Sequence, residues 1–267
     1  MPHRCFPCLH ILCTHKNEQT YRSIFQWITN TAVARQININ WNRTMSDFES
    51  ALLPSIRNEF PNIQVHGCHF HFCKAIYDRM ITSGLKRDYE QNEHFKKFVR
   101  MVFSLAFLPM ADVEPAIELL LLDYIPQHIP DMLPRENFQD FMNYLENTWL
   151  GPARRFAQEL WNVYDLNDRR TNNSIEGWHR SSNDIFGMRP KLWKFIDCMK
   201  KEERLTDNAI GLIAGGRAMA YRKASVTEKE RRIAVMKDTW DAPNHGGVYP
   251  DVLAYLDELS FLQLEGE

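Results

Sequence analysis

The chain has 267 residues, 44% of them hydrophobic, and a formal net charge of −2. That is enough apolar material to bury a proper core, and it excludes a disordered, collagen-like or strongly polyionic chain. No run of about 18 apolar residues is present, and the apolar start "CFPCLHILC" is short and broken by proline and histidine. It reads as neither a membrane span nor a secretory signal, so an intracellular chain without membrane partners is expected. Six cysteines in a chain of this length then read as thiols or metal ligands rather than a disulfide framework.

Taken in order, residues 5–13 are apolar between polar flanks and predict a strand. "NEQTYRSIFQWITNTAVARQ" predicts a helix, capped at Asn17, with Tyr21, Ile24, Phe25 and Ile28 on one face. "WNRTMSDFESALLPSIRNEFPN" repeats the order, a strand to about Ser46 and a helix carrying Leu52, Leu53 and Ile56; "IQVHGCHFHF" predicts a third strand, leading into a helix at "CKAIYDRMI". Alternating strands and helices make residues 1–83 an α/β portion. From residue 84 to 165 the pattern is helical. "FKKFVRMVFSLAFLP" and "DVEPAIELLLLDYIP" stop near a proline, and "ENFQDFMNYLENTWLG" ends in a glycine just past the helix. Residues 166–210 hold the start "NNSIE" and a helix beginning at Pro190 with Leu192, Phe195, Ile196 and Met199 at helical spacing. Residues 211–267 form a helical extension with an acidic end.

Charge is segregated along the chain. Between Arg180 and Lys237 there are fourteen basic and seven acidic side chains, while the last thirty residues carry seven acidic and no basic ones. The stretch suits phosphate binding through Arg180, Lys200, Lys201 and Arg204, with a tail able to fold against it, or else it is a solvated helical face.

Three places invite chemistry. Asp47 closes the second strand just before a helix, where open α/β sheets bind ligands, although aspartate there is also a common helix cap. "HGCHFHFC" brings Cys68 and His71 three apart among further histidines. A structural zinc needs four ligands and no second pair with finger spacing follows, so a core cysteine with a hydrogen-bonded histidine is the alternative to metal and zinc is not expected. The cluster Cys5, Cys8, His10, Cys13 and His15 lies on a strand whose side chains alternate faces, which works against convergence on one ion. Finally, Asn173 and Glu176 fit a capping box, yet the same carboxylate could face a cleft.

In their order, these pieces resemble the transposase domain of Mutator-like elements (MULE). The segments are "MSDFESALLPSIRNEFPNIQVHGCHFHFCKAIYDRM", "RMVFSLAFLP", "LENTWLG" and "WNVYDLNDRRTNNSIEGWHR". The resemblance implies a ribonuclease-H-like core, interrupted by a large all-α insertion, and two aspartates with a glutamate that bind two divalent metals for DNA strand cleavage and transfer. By resemblance Asp47 is the second aspartate, Glu176 the glutamate, and Cys68 with His71 the Cys-x-x-His element; magnesium or manganese is the implied cofactor, DNA the partner and the nucleus the location. Acids shared by a metal pair about 4 Å apart must converge within about 8 Å, so Asp47 and Glu176 are expected to approach one another. The family's first aspartate has no counterpart, because Glu18 is the only acid between Met1 and Ser46. The resemblance therefore implies an amino-terminally truncated copy, inactive on its own, or a non-catalytic DNA- or protein-binding module derived from one.

Overall fold

The computed structural model describes residues 6–166, 187, 190–217, 224–241 and 251–262. The chain divides into two compact units. One comprises Met1–Thr14 with Thr171–Lys223, and the other His15–Arg170 with Ala224–Glu267. The described residues are mostly helical around a small parallel sheet.

The larger unit opens with helix α1 (Glu18–Ala34), whose first turn is capped by Asn17 Oδ1 accepting from the Thr20 amide at 2.9 Å. Strand β1 (Arg43–Ser46), helix α2 (Leu52–Glu59) and strand β2 (Gln64–Gly67) follow, and α2 joins the two strands in parallel with Met45 opposite His66 and Ser46 opposite Gly67. A parallel pair needs such a crossover, and it places both carboxyl ends on one edge. Helix α1 is held to this unit by Tyr21, whose hydroxyl donates to Glu49 at 2.8 Å, and by an Arg22–Glu59 pair at 3.1 Å.

The expected strand at residues 5–13 is not found: residues 6–14 adopt no regular structure, and Leu9, Ile11 and Leu12 are exposed. An extended segment is stable only when its backbone groups are paired, and among the described residues the sheet has two strands. The third predicted strand ends sooner than "IQVHGCHFHF" suggests. It stops at Gly67, Cys68 takes the cap position, and helix α3 (His69–Thr82) begins two residues after the strand.

Helices α4 (Lys86–Gln91), α5 (Glu93–Ser104), α6 (Met110–Glu118), α7 (Ile125–His128), α8 (Glu136–Leu145) and α9 (Gln158–Trp161) build the body of this unit. Its core is aromatic: Phe72, Phe95, Phe98, Phe138, Phe141 and Trp161 are fully buried. Two of the expected helix ends, near Pro126 and at Gly151, are reached through π turns. After α6 a π-helical turn (Leu119–Tyr124) carries the chain into α7, which takes in Pro126 and ends at His128 before Pro130. Helix α8 likewise passes into a π turn (Glu146–Leu150) that ends at Gly151. That glycine is not left-handed; a Cβ there would sit 2.5 Å from Glu146 Cγ and 2.7 Å from the Glu146 carbonyl oxygen, so space rather than backbone conformation requires it.

The smaller unit contributes helix α10 (Leu192–Ala214), which follows Pro190 and ends at Gly215–Gly216, the latter at φ 79°. Helices α11 (Ala224–Asp241) and α12 (Val252–Leu262) belong again to the larger unit. Helix α12 lies along α5, with Asp257 pairing Lys97 at 2.6 Å and the Tyr255 hydroxyl donating to the Phe107 carbonyl at 3.3 Å; Trp240 of α11 donates to Asp112 at 3.0 Å. The acidic end could fold against the basic stretch; of its described members, Asp257 pairs with a lysine of the helical body. Among the described residues no helix is long and apolar enough to cross a membrane.

Candidate functional site

Asp47 is the first residue after β1, and Cys68 the first after β2. Because the strands are parallel and in register, the two ends meet: the Cys68 amide donates to the Ser46 carbonyl at 2.8 Å. Asp47 does not cap the following helix, whose cap position is Ala51, five residues from the strand. Its carboxylate is half exposed and lies 3.1 Å from Nδ1 of His71, in the first turn of α3. Ala51 rather than Asp47 thus holds the cap position of that helix, and the Asp47 carboxylate stands close to an imidazole 24 positions away.

The backbone of Asp47 is anchored by its neighbour. Phe48 packs edge-to-face on Trp149 at 4.9 Å and on Phe156 at 5.1 Å. The same ring covers Gly67 so closely that a Cβ there would lie 2.2 Å from Phe48 Cζ. Both strand ends, β1 through Phe48 and β2 through Gly67, are thus referenced to one aromatic cluster, which fixes the edge where Asp47 and His71 face each other.

The histidines and cysteines of "HGCHFHFC" separate by role. Cys68 is fully buried, whereas His71 faces Asp47 and is partly exposed. His69 is buried, with Nε2 3.2 Å from the Phe103 carbonyl. A carbonyl only accepts, so this nitrogen carries the proton. Cys73 Sγ lies 3.5 Å from the same ring nitrogen. Among the described residues no group of three or more histidine, cysteine, aspartate or glutamate side chains converges as a metal centre would require. The described donors near Asp47 are one carboxylate and one imidazole, fewer than a pair of hard divalent ions takes, and by themselves they do not complete a two-metal centre.

His66, on β2 beneath this edge, is held below the ordinary histidine value of 6.5, chiefly by burial and then by Arg43; the Asn162 backbone and Asp165 oppose the shift. Its folded form therefore prefers the neutral ring. The unfolded chain takes up a proton as pH falls below 6.5 while the folded one does not until lower pH, so this group's contribution is complete above 6.5 and declines below it. Urea unfolding at about pH 7.5 and about pH 5.5 should show a smaller acid loss of stability in His66→Gln than in the parent chain. An equal loss in both would show that His66 is not the group responsible.

Glu176 and Arg180, named from the sequence, lie outside the described residues, and with them lies the expected approach of Glu176 to Asp47. Lys200, Lys201 and Arg204 all lie on α10, are exposed, and enter no ion pair among the described residues. Sequence reasoning did not find Phe48, Gly67 and Trp149 as the frame of the site. The one available signal was a glycine ending an apolar strand, which marks close approach of another group.

Residues 2–75 match the family model of the MULE transposase domain. The matched segment includes Asp47, Cys68 and His71 and stops before the helical body. No curated protein and no solved structure matches the chain significantly.

Proposed function

We propose that the chain is a transposase-derived domain that binds DNA, with a ribonuclease-H-like origin for its α/β part, and that this polypeptide alone does not cut DNA. The observation that carries the reading is the place of Asp47. It lies inside the segment similar to the MULE transposase domain, at the carboxyl edge of a parallel pair, the edge where open α/β sheets bind ligands. Asp47, inside the matched segment, and Glu176, which lies beyond it and is assigned only by the resemblance of the "NNSIE" motif, are two of the acids that would hold magnesium or manganese. Two acids bind a pair of hard cations less tightly than three, because ligand number and charge set affinity.

Purified chain incubated with supercoiled plasmid and magnesium or manganese is expected to leave the plasmid unnicked, and Asp47→Asn to behave identically. DNA binding should persist in Asp47→Asn and fall steeply with added salt, as phosphate-driven binding does. Metal-dependent nicking that Asp47→Asn abolishes would overturn the inactive reading and assign Asp47 a catalytic role. The second reading, a non-catalytic binding module, is favoured by the imidazole of His71, which stands 3.1 Å from the Asp47 carboxylate. In either case the chain acts where DNA is, and a fluorescent fusion is expected in the nucleus.

A further inference from the structure

Helix α10 carries an exposed tryptophan in an unusual setting. Trp193 is 76% exposed, and Lys191 and Lys194 flank it. At 3.6 residues per turn, positions seven and eleven beyond it lie on its own side of the helix, and these are Lys200 and Arg204, both exposed. Phe195, Met199 and the buried Glu202 occupy the other side, whereas half-buried Ile196 and exposed Asp197 stand one turn from Trp193 on its own side.

Lys191, Lys194, Lys200, Lys201 and Arg204 form no ion pair among the described residues, although Asp197, Glu203 and Asp207 lie on the same helix. In the larger unit, by contrast, Lys74, Lys96, Lys97, Arg135 and Arg154 each hold a carboxylate within 3.1 Å. An indole left in water among such cations matches a ligand that offers both negative charge and flat π faces.

We propose that this face of α10 binds single-stranded nucleic acid, with Trp193 as a stacking platform for an unpaired base and Lys194, Lys200 and Arg204 on the adjoining phosphates. A duplex conceals its base faces, so Trp193 has nothing to stack on there, while the lysines and arginine still meet phosphate. An anionic membrane would require the indole at the centre of the apolar side of the helix, whereas it stands in line with Lys200 and Arg204. The inference rests on the DNA-binding reading above and adds to it the strandedness of the ligand and the residue that reads it.

The test is fluorescence-anisotropy titration, at low salt, of the full chain against an about 15-nucleotide oligothymidylate and a duplex of equal length. Trp193→Ala is expected to weaken oligothymidylate binding by about 5- to 100-fold and to leave duplex binding unchanged, since a stacked base is worth about 1–3 kcal/mol. Trp193→Phe should retain most of the single-strand affinity, and a preserved far-ultraviolet circular dichroism spectrum shows that the variants fold. Joint replacement of Lys200 and Arg204 by alanine should weaken both ligands and flatten the salt dependence. Equal affinities of Trp193→Ala and parent for oligothymidylate, with duplex binding intact, would overturn this inference alone. Absence of binding to either nucleic acid would overturn the DNA reading with it, and Trp193-dependent binding to anionic vesicles instead would replace it with a membrane surface.

Discussion

Trp149→Ala is expected to lower the free energy of unfolding by about 3–5 kcal/mol, the usual cost of truncating a fully buried tryptophan. Trp149 is 1% exposed and sits at the centre of the aromatic frame, 4.9 Å from Phe48, 5.0 Å from Phe72 and 4.9 Å from Phe156. Its indole N–H also donates to the Tyr144 hydroxyl at 3.1 Å, so alanine removes that bond together with the packing. The collapse has little room to heal, because the π turn bearing Trp149 ends at Gly151, where no side chain fits. Urea unfolding followed by far-ultraviolet circular dichroism measures the loss. Trp149→Phe should cost clearly less than alanine, since it keeps a ring against Phe48; a loss under about 1 kcal/mol for Trp149→Ala would mean that the cluster does not hold this region together.

Gly67→Ala carries the second large effect, an expected loss of about 1–3 kcal/mol from overpacking. The added methyl would enter Phe48 at 2.2, 2.5 and 2.9 Å from three ring atoms. The ring cannot simply swing away, being held between Trp149 and Phe156. Either the carboxyl end of β2 or the segment bearing Asp47 must shift. A double-mutant cycle with Phe48→Leu identifies the cause: the smaller side chain should relieve much of the alanine's cost, giving a coupling of about 0.5–3 kcal/mol. Strict additivity of the two changes would locate the strain somewhere other than at this contact.

Much of the chain can be read locally. Asn17 and the apolar spacing after it predict α1, the turn from "RTMS" to "LLPSIRNE" predicts β1 and α2, and Pro190 with "AGGRA" brackets α10, all through preferences that act within a few residues. The misread strand has a physical cause. Residues 6–14 are apolar enough for a strand, yet a strand exists only through its partner, and local pattern does not reveal whether one is present. The helices that end near Pro126 and at Gly151 do so as the local pattern predicts, but they pass through π turns, which that pattern does not foretell.

What the sequence by itself determined is the identity and order of these elements, and the presence of Asp47 at a strand end, because capping, periodicity and breaking residues act over short range. What only the tertiary structure decided is what Asp47 faces. The parallel register of β1 and β2 brings His71 to 3.1 Å from its carboxylate, and Phe48 wedged between Gly67 and Trp149 keeps both strand ends in place. Those contacts join residues 19 to 101 positions apart, and side-chain volume and strand pairing, which no local pattern encodes, settle them.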